Sequence, residues 1–340
     1  MIWRMTAGAL FLTVAYLAAG PANAGELDRL KAKGFIQCGI SGILPGFSTP
    51  DDKGNFSGLD VDYCRALAAA VFGDATKVKF TPLSAKERFT ALQSGEIDVL
   101  SRNTTWTFNR DIGQGINFAG ILYYDGQGIM VKKSVGVDAA KELDGATICV
   151  NQGTTSELNL ADYFRTNGLS FTPVTYENMN EVVAAYAKGR CDAYTADKSQ
   201  LAAQRSKLQD PDEHIILPDV LSKEPLGPVV RQGDDQWFDV AKWTYFTLLN
   251  AEELGITSQN ADILKESSKN PNVLRLLGVE GGLGEKIGLA DDFAYQIVKQ
   301  VGNYGEIYNR NLGPDTPIGL PRGENALWTK KGLQYAPPMR

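Results

Sequence analysis

Apolar residues along this chain fall into two kinds of run, and the two alternate. Short, mostly apolar stretches such as Phe35-Ile36-Gln37-Cys38-Gly39-Ile40, 97–100 and 146–150 predict strands. Between them the apolar residues return every three or four positions. Leu59, Tyr63, Leu67, Ala70 and Val71 share one face of a helix over 59–72, a second helix is expected over 87–92, and Gly95 suits the stop after it. The stretch 121–132 is again strand-like. Later segments read as helices over 181–187 and 201–208, a returning strand over 227–231, and a long helix over 236–254 with Trp237, Val240, Ala241, Tyr245, Leu248 and Leu249 on one face. A last helix is expected over 295–309, and the Gly- and Pro-rich tail from Gly313 should wrap the surface without regular structure.

One strand–helix–strand unit is spelled twice. Phe80-Thr81-Pro82-Leu83-Ser84 leads to Ser94-Gly95-Glu96-Ile97-Asp98-Val99-Leu100, and Phe171-Thr172-Pro173-Val174-Thr175 leads to Lys188-Gly189-Arg190-Cys191-Asp192-Ala193-Tyr194. After each second strand the chain turns polar, with Asn103-Thr104-Thr105 in the first copy and Thr195-Ala196-Asp197 in the second. A doubled α/β unit predicts two lobes, and open parallel sheets bind ligands beyond the carboxyl ends of their strands. The long helix over 236–254 must find a core, and the simplest closure returns it to the first lobe, so that two crossover strands form a hinge. The expected division is lobe 1 over 25–125 plus 229–340 and lobe 2 over 126–228.

The first 24 residues stand apart. Arg4 precedes an apolar run from Ala7 to Ala19 and then Pro21-Ala22-Asn23-Ala24, which reads as a cleavable secretory signal peptide over 1–24. The run is shorter than the roughly 20 residues a spanning helix needs, and no cysteine at the cleavage point offers a lipid anchor, so a soluble periplasmic protein with no direct membrane anchor is expected. Removing Arg4 takes the formal net charge from −6 to −7, which excludes a basic stripe for nucleic acid. All four cysteines, Cys38, Cys64, Cys149 and Cys191, survive cleavage, and an even count in an exported chain suggests disulfides. Three pairings are possible; the positions favour Cys38 with Cys64 in the first lobe and Cys149 with Cys191 in the second. Their spacing does not suit zinc. The single histidine, His214, follows Asp210-Pro211-Asp212-Glu213 and reads as a surface residue. The run Gly278-Val279-Glu280-Gly281-Gly282-Leu283-Gly284 follows a helical pattern and lacks Gly-Lys-Ser/Thr, so it is an ordinary loop rather than a phosphate cradle.

The polar turns carry the parts that an amino acid requires. Arg110 follows the first turn, and a guanidinium can grip a carboxylate through two parallel hydrogen bonds. Thr105 and Asn103 could add donors. Across the expected cleft, Gly153-Thr154-Thr155-Ser156-Glu157 matches a capping box, and the helix it opens leaves its first N–H groups free for an anion. Asp197 offers the charge for an ammonium group.

Gly58-Leu59-Asp60-Val61-Asp62, Gly95-Glu96-Ile97-Asp98 through Arg110, Gln152-Gly153-Thr154-Thr155-Ser156-Glu157 and Gly302-Asn303-Tyr304-Gly305-Glu306-Ile307-Tyr308 resemble the periplasmic solute-binding proteins of polar amino-acid ABC importers. The tail, with Gly319-Leu320-Pro321-Arg322-Gly323 and Asn325-Ala326-Leu327-Trp328-Thr329-Lys330, is similar to the general L-amino-acid binding branch. That resemblance implies a two-lobed α/β periplasmic binding protein fold with two crossover hinge strands, no cofactor, no catalysis, and docking on membrane permease subunits. It implies that Thr105 and Arg110 bind the ligand carboxylate, that Thr155 and Ser156 donate from the second lobe, and that Asp197 meets the ammonium. Asn103 stands where a serine is usual. Ser41 stands where relatives specific for charged side chains carry an acid or an arginine, and Leu44 and Leu59 stand where cationic binders carry an aromatic platform. Backbone-directed recognition of free L-amino acids with broad specificity is therefore expected, with Trp106 lining the side-chain chamber. Two rival readings share the cleft: an exported dehydratase-like enzyme, for which only carboxylates such as Glu157 and Asp197 are evident, and a module that reports its ligand to a separate membrane receptor.

Overall fold

A computed structural model describes residues 25–340, so the signal-peptide segment lies outside the described residues. Eleven strands build two sheets: β1 (Ile36–Ile40), β2 (Val78–Pro82), β3 (Val99–Leu100), β4 (Ile116–Phe118), β5 (Tyr123–Lys132), β6 (Thr147–Asn151), β7 (Thr172–Tyr176), β8 (Ala193–Asp197), β9 (His214–Ile216), β10 (Ser222–Leu226) and β11 (Val229–Arg231). The first sheet runs β2-β1-β3-β11-β4 and the second β9-β5-β8-β6-β7, with β10 also pairing β5. In the first sheet β1 is parallel to β2 and β3; in the second β6 is parallel to β7 and β8. The sheets therefore correspond unit by unit, as the doubled pattern implies.

Helices cover the faces: α1 (Leu59–Phe72), α2 (Arg88–Ser94), α3 (Thr155–Thr166), α4 (Met179–Ala187), α5 (Lys198–Arg205), α6 (Asp235–Glu253), α7 (Phe293–Val301) and α8 (Tyr304–Asn311). Alternation along the strands separates the two cores of the second lobe: Ile129, Val131, Ile148 and Ala193 point to one side, Met130, Cys149 and Tyr194 to the other. The long helix α6 returns to the first lobe. All six residues of its apolar face are buried, and the Tyr63 hydroxyl of α1 donates to the Ala241 carbonyl at 2.8 Å. Disulfides join Cys38 to Cys64 and Cys149 to Cys191, with Cα separations of 6.4 and 5.6 Å, each within the usual range for a bridge.

The chain passes between the lobes twice, after β4 and after β10, and the two crossings touch. A Cβ placed on Gly227 would lie 1.9 Å from the Gly120 carbonyl oxygen, so only glycine permits this approach. A hydrogen bond from Gly227 N to Thr104 O ties the second crossing to the first lobe, and one from Ala119 N to Pro228 O joins the two crossings, both 2.9 Å.

Three expectations change. The helix expected over 295–309 is two helices, because Gly302 adopts φ 94° and Asn303 begins a new capping box with Glu306. His214 is buried rather than on the surface; it lies on β9 against β5, and its Nδ1 shares a 2.7 Å hydrogen bond with the Tyr186 hydroxyl. The tail is irregular, but it does more than wrap the surface. Gln334 is fully buried, receives the Tyr245 hydroxyl's hydrogen bond on its Oε1 and donates from its Nε2 to the Ile121 carbonyl, while the Asn325 amide bonds both backbone groups of Tyr124. It therefore pins the first crossing.

Candidate ligand cleft between the lobes

Beyond the carboxyl ends of β3, β6 and β8 the two sheets enclose a hollow lined by both lobes. Lobe 1 contributes Arg88, Arg102, Asn103 and Thr105; lobe 2 contributes Asn151, Thr155, Ser156 and Asp197 among others. Their placement follows from the local chain. After β3 the backbone turns sharply enough that Asn103 sits at φ 34°, in a region where asparagine is among the better-tolerated side chains. The turn is held by Asp60, which accepts hydrogen bonds from Ser101 Oγ at 2.9 Å and from Asn103 N at 3.0 Å. Burial pushes the Asp60 carboxyl up to about 6, against the lowering effect of those two donors and of Arg102.

On the opposite wall Thr154 caps α3 by accepting from Glu157 N, while Glu157 reaches back to Gly153 N at 2.9 Å rather than to Thr154 N. The capping box is thus displaced by one residue. Thr155 and Ser156 occupy the first two helical positions, so their N–H groups have no partner within the helix. Asp197 ends β8 and is buried, and its carboxylate takes no hydrogen bond among the described residues. Burial, together with Asp125 and Glu224 nearby, raises its pKa well above the usual carboxylate range; Arg88 and Arg110 oppose that rise.

Other expected residues lie at the edges. Arg110, in the short helix Phe108–Gly113, donates from Nη1 to the Thr105 carbonyl at 2.9 Å and rests over the Phe89 ring; it stands behind Thr105 and does not line the hollow. Ser41 lines an adjoining hollow that shares Arg102, Asn151 and Met179 with the first, and its Oγ has no hydrogen-bond partner among the described residues. Trp106 stacks on Phe118 with ring centroids 5.2 Å apart and is 36% exposed. It lines neither hollow.

Two further residues matter that no sequence pattern marks. Glu224, on β10, is buried and accepts four hydrogen bonds: Thr105 Oγ1 at 2.6 Å and Thr155 Oγ1 at 2.8 Å on one oxygen, Asn159 Nδ2 at 2.8 Å and Ser222 Oγ at 2.6 Å on the other. It joins one hydroxyl from each lobe, and both hydroxyl hydrogens are directed at it. Arg88, in the first turn of α2, is the other. Among the described residues no group of three His, Cys, Asp or Glu side chains is placed to hold a metal.

Residues 36–260 match the bacterial extracellular solute-binding proteins, family 3. The chain belongs to that family. This solute-binding protein is 58% identical to the general L-amino acid-binding periplasmic protein AapJ of Rhizobium johnstonii, over 99% of both chains. It is 52% identical to the glutamate/glutamine/aspartate/asparagine-binding protein BztA of Rhodobacter capsulatus, over 97% of each. Among solved structures it is similar to an ABC transporter/periplasmic binding protein from Brucella ovis with glutathione bound: 57% identity, TM-score 0.91, 93% of this chain and all of that one. The two-lobed periplasmic binding protein fold is common to both. No helix among the described residues is long and apolar enough to cross a membrane.

Proposed function

We propose that this protein is a receptor that closes its lobes on free L-amino acids, over a broad range of side chains, and delivers them to the membrane permease of an ABC importer. The observation that carries the reading is the meeting of unlike, unsatisfied groups in one hollow. Asp197 is a buried acid without a hydrogen-bond donor, and the start of α3 presents the unpartnered N–H groups of Thr155 and Ser156. A zwitterionic head supplies what each lacks. Its ammonium meets Asp197, and its carboxylate lies against the α3 N-terminus, with Thr105 on the facing lobe, Asn103 at the turn, and Arg110 behind Thr105, where it holds the Thr105 carbonyl. The names of the relatives, amino-acid-binding proteins at 52 to 58% identity over nearly the whole chain, support the same ligand class.

Binding then shifts the hinge equilibrium by as much as the ligand prefers the closed form. No bond is made or broken, so the protein is a carrier and not an enzyme. Export through the signal peptide to the periplasm agrees with two disulfides, which persist in oxidising compartments. Calorimetric titration with a panel of L-amino acids tests the reading. Asp197→Ala and Arg110→Ala should each remove most of the affinity for every ligand; unchanged binding in both would remove the site assignment, and turnover of a bound ligand would reverse the choice of carrier over enzyme.

A further inference from the structure

Glu224 decides which way two hydroxyls of the cleft point. Its buried carboxylate takes two donors on each oxygen: Thr105 Oγ1 and Thr155 Oγ1 on Oε2, at 2.6 and 2.8 Å, and Asn159 Nδ2 and Ser222 Oγ on Oε1, at 2.8 and 2.6 Å. Arg88 and Arg110 face its charge, and neither bonds to it among the described residues. The backbone around it is tied down as well, with Trp106 N donating to Pro225 O at 2.8 Å and Gly227 N to Thr104 O at 2.9 Å. A carboxylate only accepts, and a hydroxyl has one hydrogen to give. Thr105 and Thr155 have therefore committed their hydrogens to Glu224. The two threonine oxygens lie 3.3 Å apart, and both residues line the hollow together with Asp197. Through their side chains they offer a ligand lone pairs alone. Their backbones offer the opposite, since the N–H groups of Thr105, Thr155 and Ser156 have no acceptor among the described residues.

We infer that Glu224 is a positioning residue for the ligand's ammonium: it holds the Thr105 and Thr155 hydroxyls as acceptors that join Asp197 on that group, while the ligand carboxylate takes the backbone N–H groups. The inference rests on the amino-acid reading and deepens it, because it divides each threonine between the two ends of the zwitterion. An ammonium carries three N–H donors, and a donor left unmet in a buried site is costly. Asp197 and two fixed hydroxyl oxygens meet that need. Thr105 comes from lobe 1 and Thr155 from lobe 2, so an ammonium that touches both is bound better by the closed form than by the open one. That difference is what moves the hinge equilibrium. Fixing the hydroxyls before the ligand arrives also removes the cost of ordering them on binding.

The test is calorimetric titration with L-alanine and L-glutamine, together with displacement of bound L-glutamine by L-lactate, which keeps the carboxylate and lacks the ammonium. Thr105→Val and Thr155→Val should each weaken both amino acids by about 10- to 100-fold, the range expected of a hydrogen bond to a charged group, and weaken lactate by no more than about threefold. Thr105→Ser and Thr155→Ser keep the hydroxyl and should retain most of the affinity. Equal losses for alanine and lactate would put the hydroxyls on the carboxylate and overturn the inference. Glu224→Leu frees both hydroxyl hydrogens to turn into the hollow, so it should weaken the amino acids by about 10-fold or more. In a protein already carrying Thr105→Val and Thr155→Val, the same change should cost less than about threefold. A gain in affinity on Glu224→Leu would overturn the inference, as would an undiminished loss in the valine background, which would show that Glu224 acts through its charge or the fold rather than through the hydroxyls. Should Glu224→Leu fail to fold, the threonine variants and lactate decide alone. A wild type that binds neither amino acid refutes the receptor reading, whereas a wild type that binds both, with variants that bind equally well, refutes this inference only.

Discussion

Replacing Gly227 by alanine probes the hinge where its two crossings touch. The new Cβ would sit 1.9 Å from the Gly120 carbonyl oxygen and 3.7 Å from the Ile121 Cα. Ordinary contact needs about 3.4 Å, so the crossings must part by roughly 1.5 Å. That displacement strains the bonds from Gly227 N to Thr104 O and from Ala119 N to Pro228 O. Overpacking of this kind costs about 1–3 kcal/mol, and a weakened hydrogen bond adds about 1 kcal/mol, giving an expected loss of about 2–4 kcal/mol. Urea unfolding measures it, with Gly113→Ala as the matched control, since a Cβ there meets nothing within 4 Å and its φ is ordinary. The control should stay within about 0.5 kcal/mol of wild type. If Gly227→Ala does the same, close approach of the crossings is not what requires glycine, and the account of the hinge is wrong.

Two other outcomes follow from the buried charges and the bridges. The folded Asp60 carboxyl is raised from 3.8 to about 6 by burial, so the folded state holds this proton more tightly than the unfolded chain and wild-type stability falls as pH rises between those values. Asp60→Asn lacks that dependence, so the stability of the variant relative to wild type should climb by about 2.4 kcal/mol between pH 4 and pH 7; a pH-independent difference refutes it. Paired alanine replacements at Cys149 and Cys191, which close 42 residues, should lower the unfolding free energy by about 4 kcal/mol, and those at Cys38 and Cys64, which close 26, by about 3.5 kcal/mol. Losses below about 1 kcal/mol in chemical denaturation would show that chain entropy is not how the bridges act.

Local pattern carried most of the architecture. The helix Leu59–Phe72 was legible because its apolar positions repeat at helical spacing and Gly73 supplies a left-handed stop. The break at Gly302 was not, since apolar residues continue on both sides of it and only the capping pair Asn303 and Glu306 marks a new start. His214 was misread for a related reason: its acidic neighbours suggest solvent, whereas the strand it begins is covered through pairing with β5, far away in sequence.

The turns after repeated strands pointed to Asn103, Thr105, Thr155 and Asp197, because strand ends and helix starts are fixed by nearest neighbours along the chain. Glu224 and Arg88 carry no such mark. One lies inside a strand and the other inside a helix, and each becomes notable only through what surrounds it: four donors drawn from both lobes for the glutamate, and a buried place on the cleft wall for the arginine. Periodicity and turn chemistry act over a few residues, so the sequence by itself determined the doubled fold and the region of the cleft. Whether a charge is paired depends on residues brought together from distant segments, and that only the tertiary structure decided.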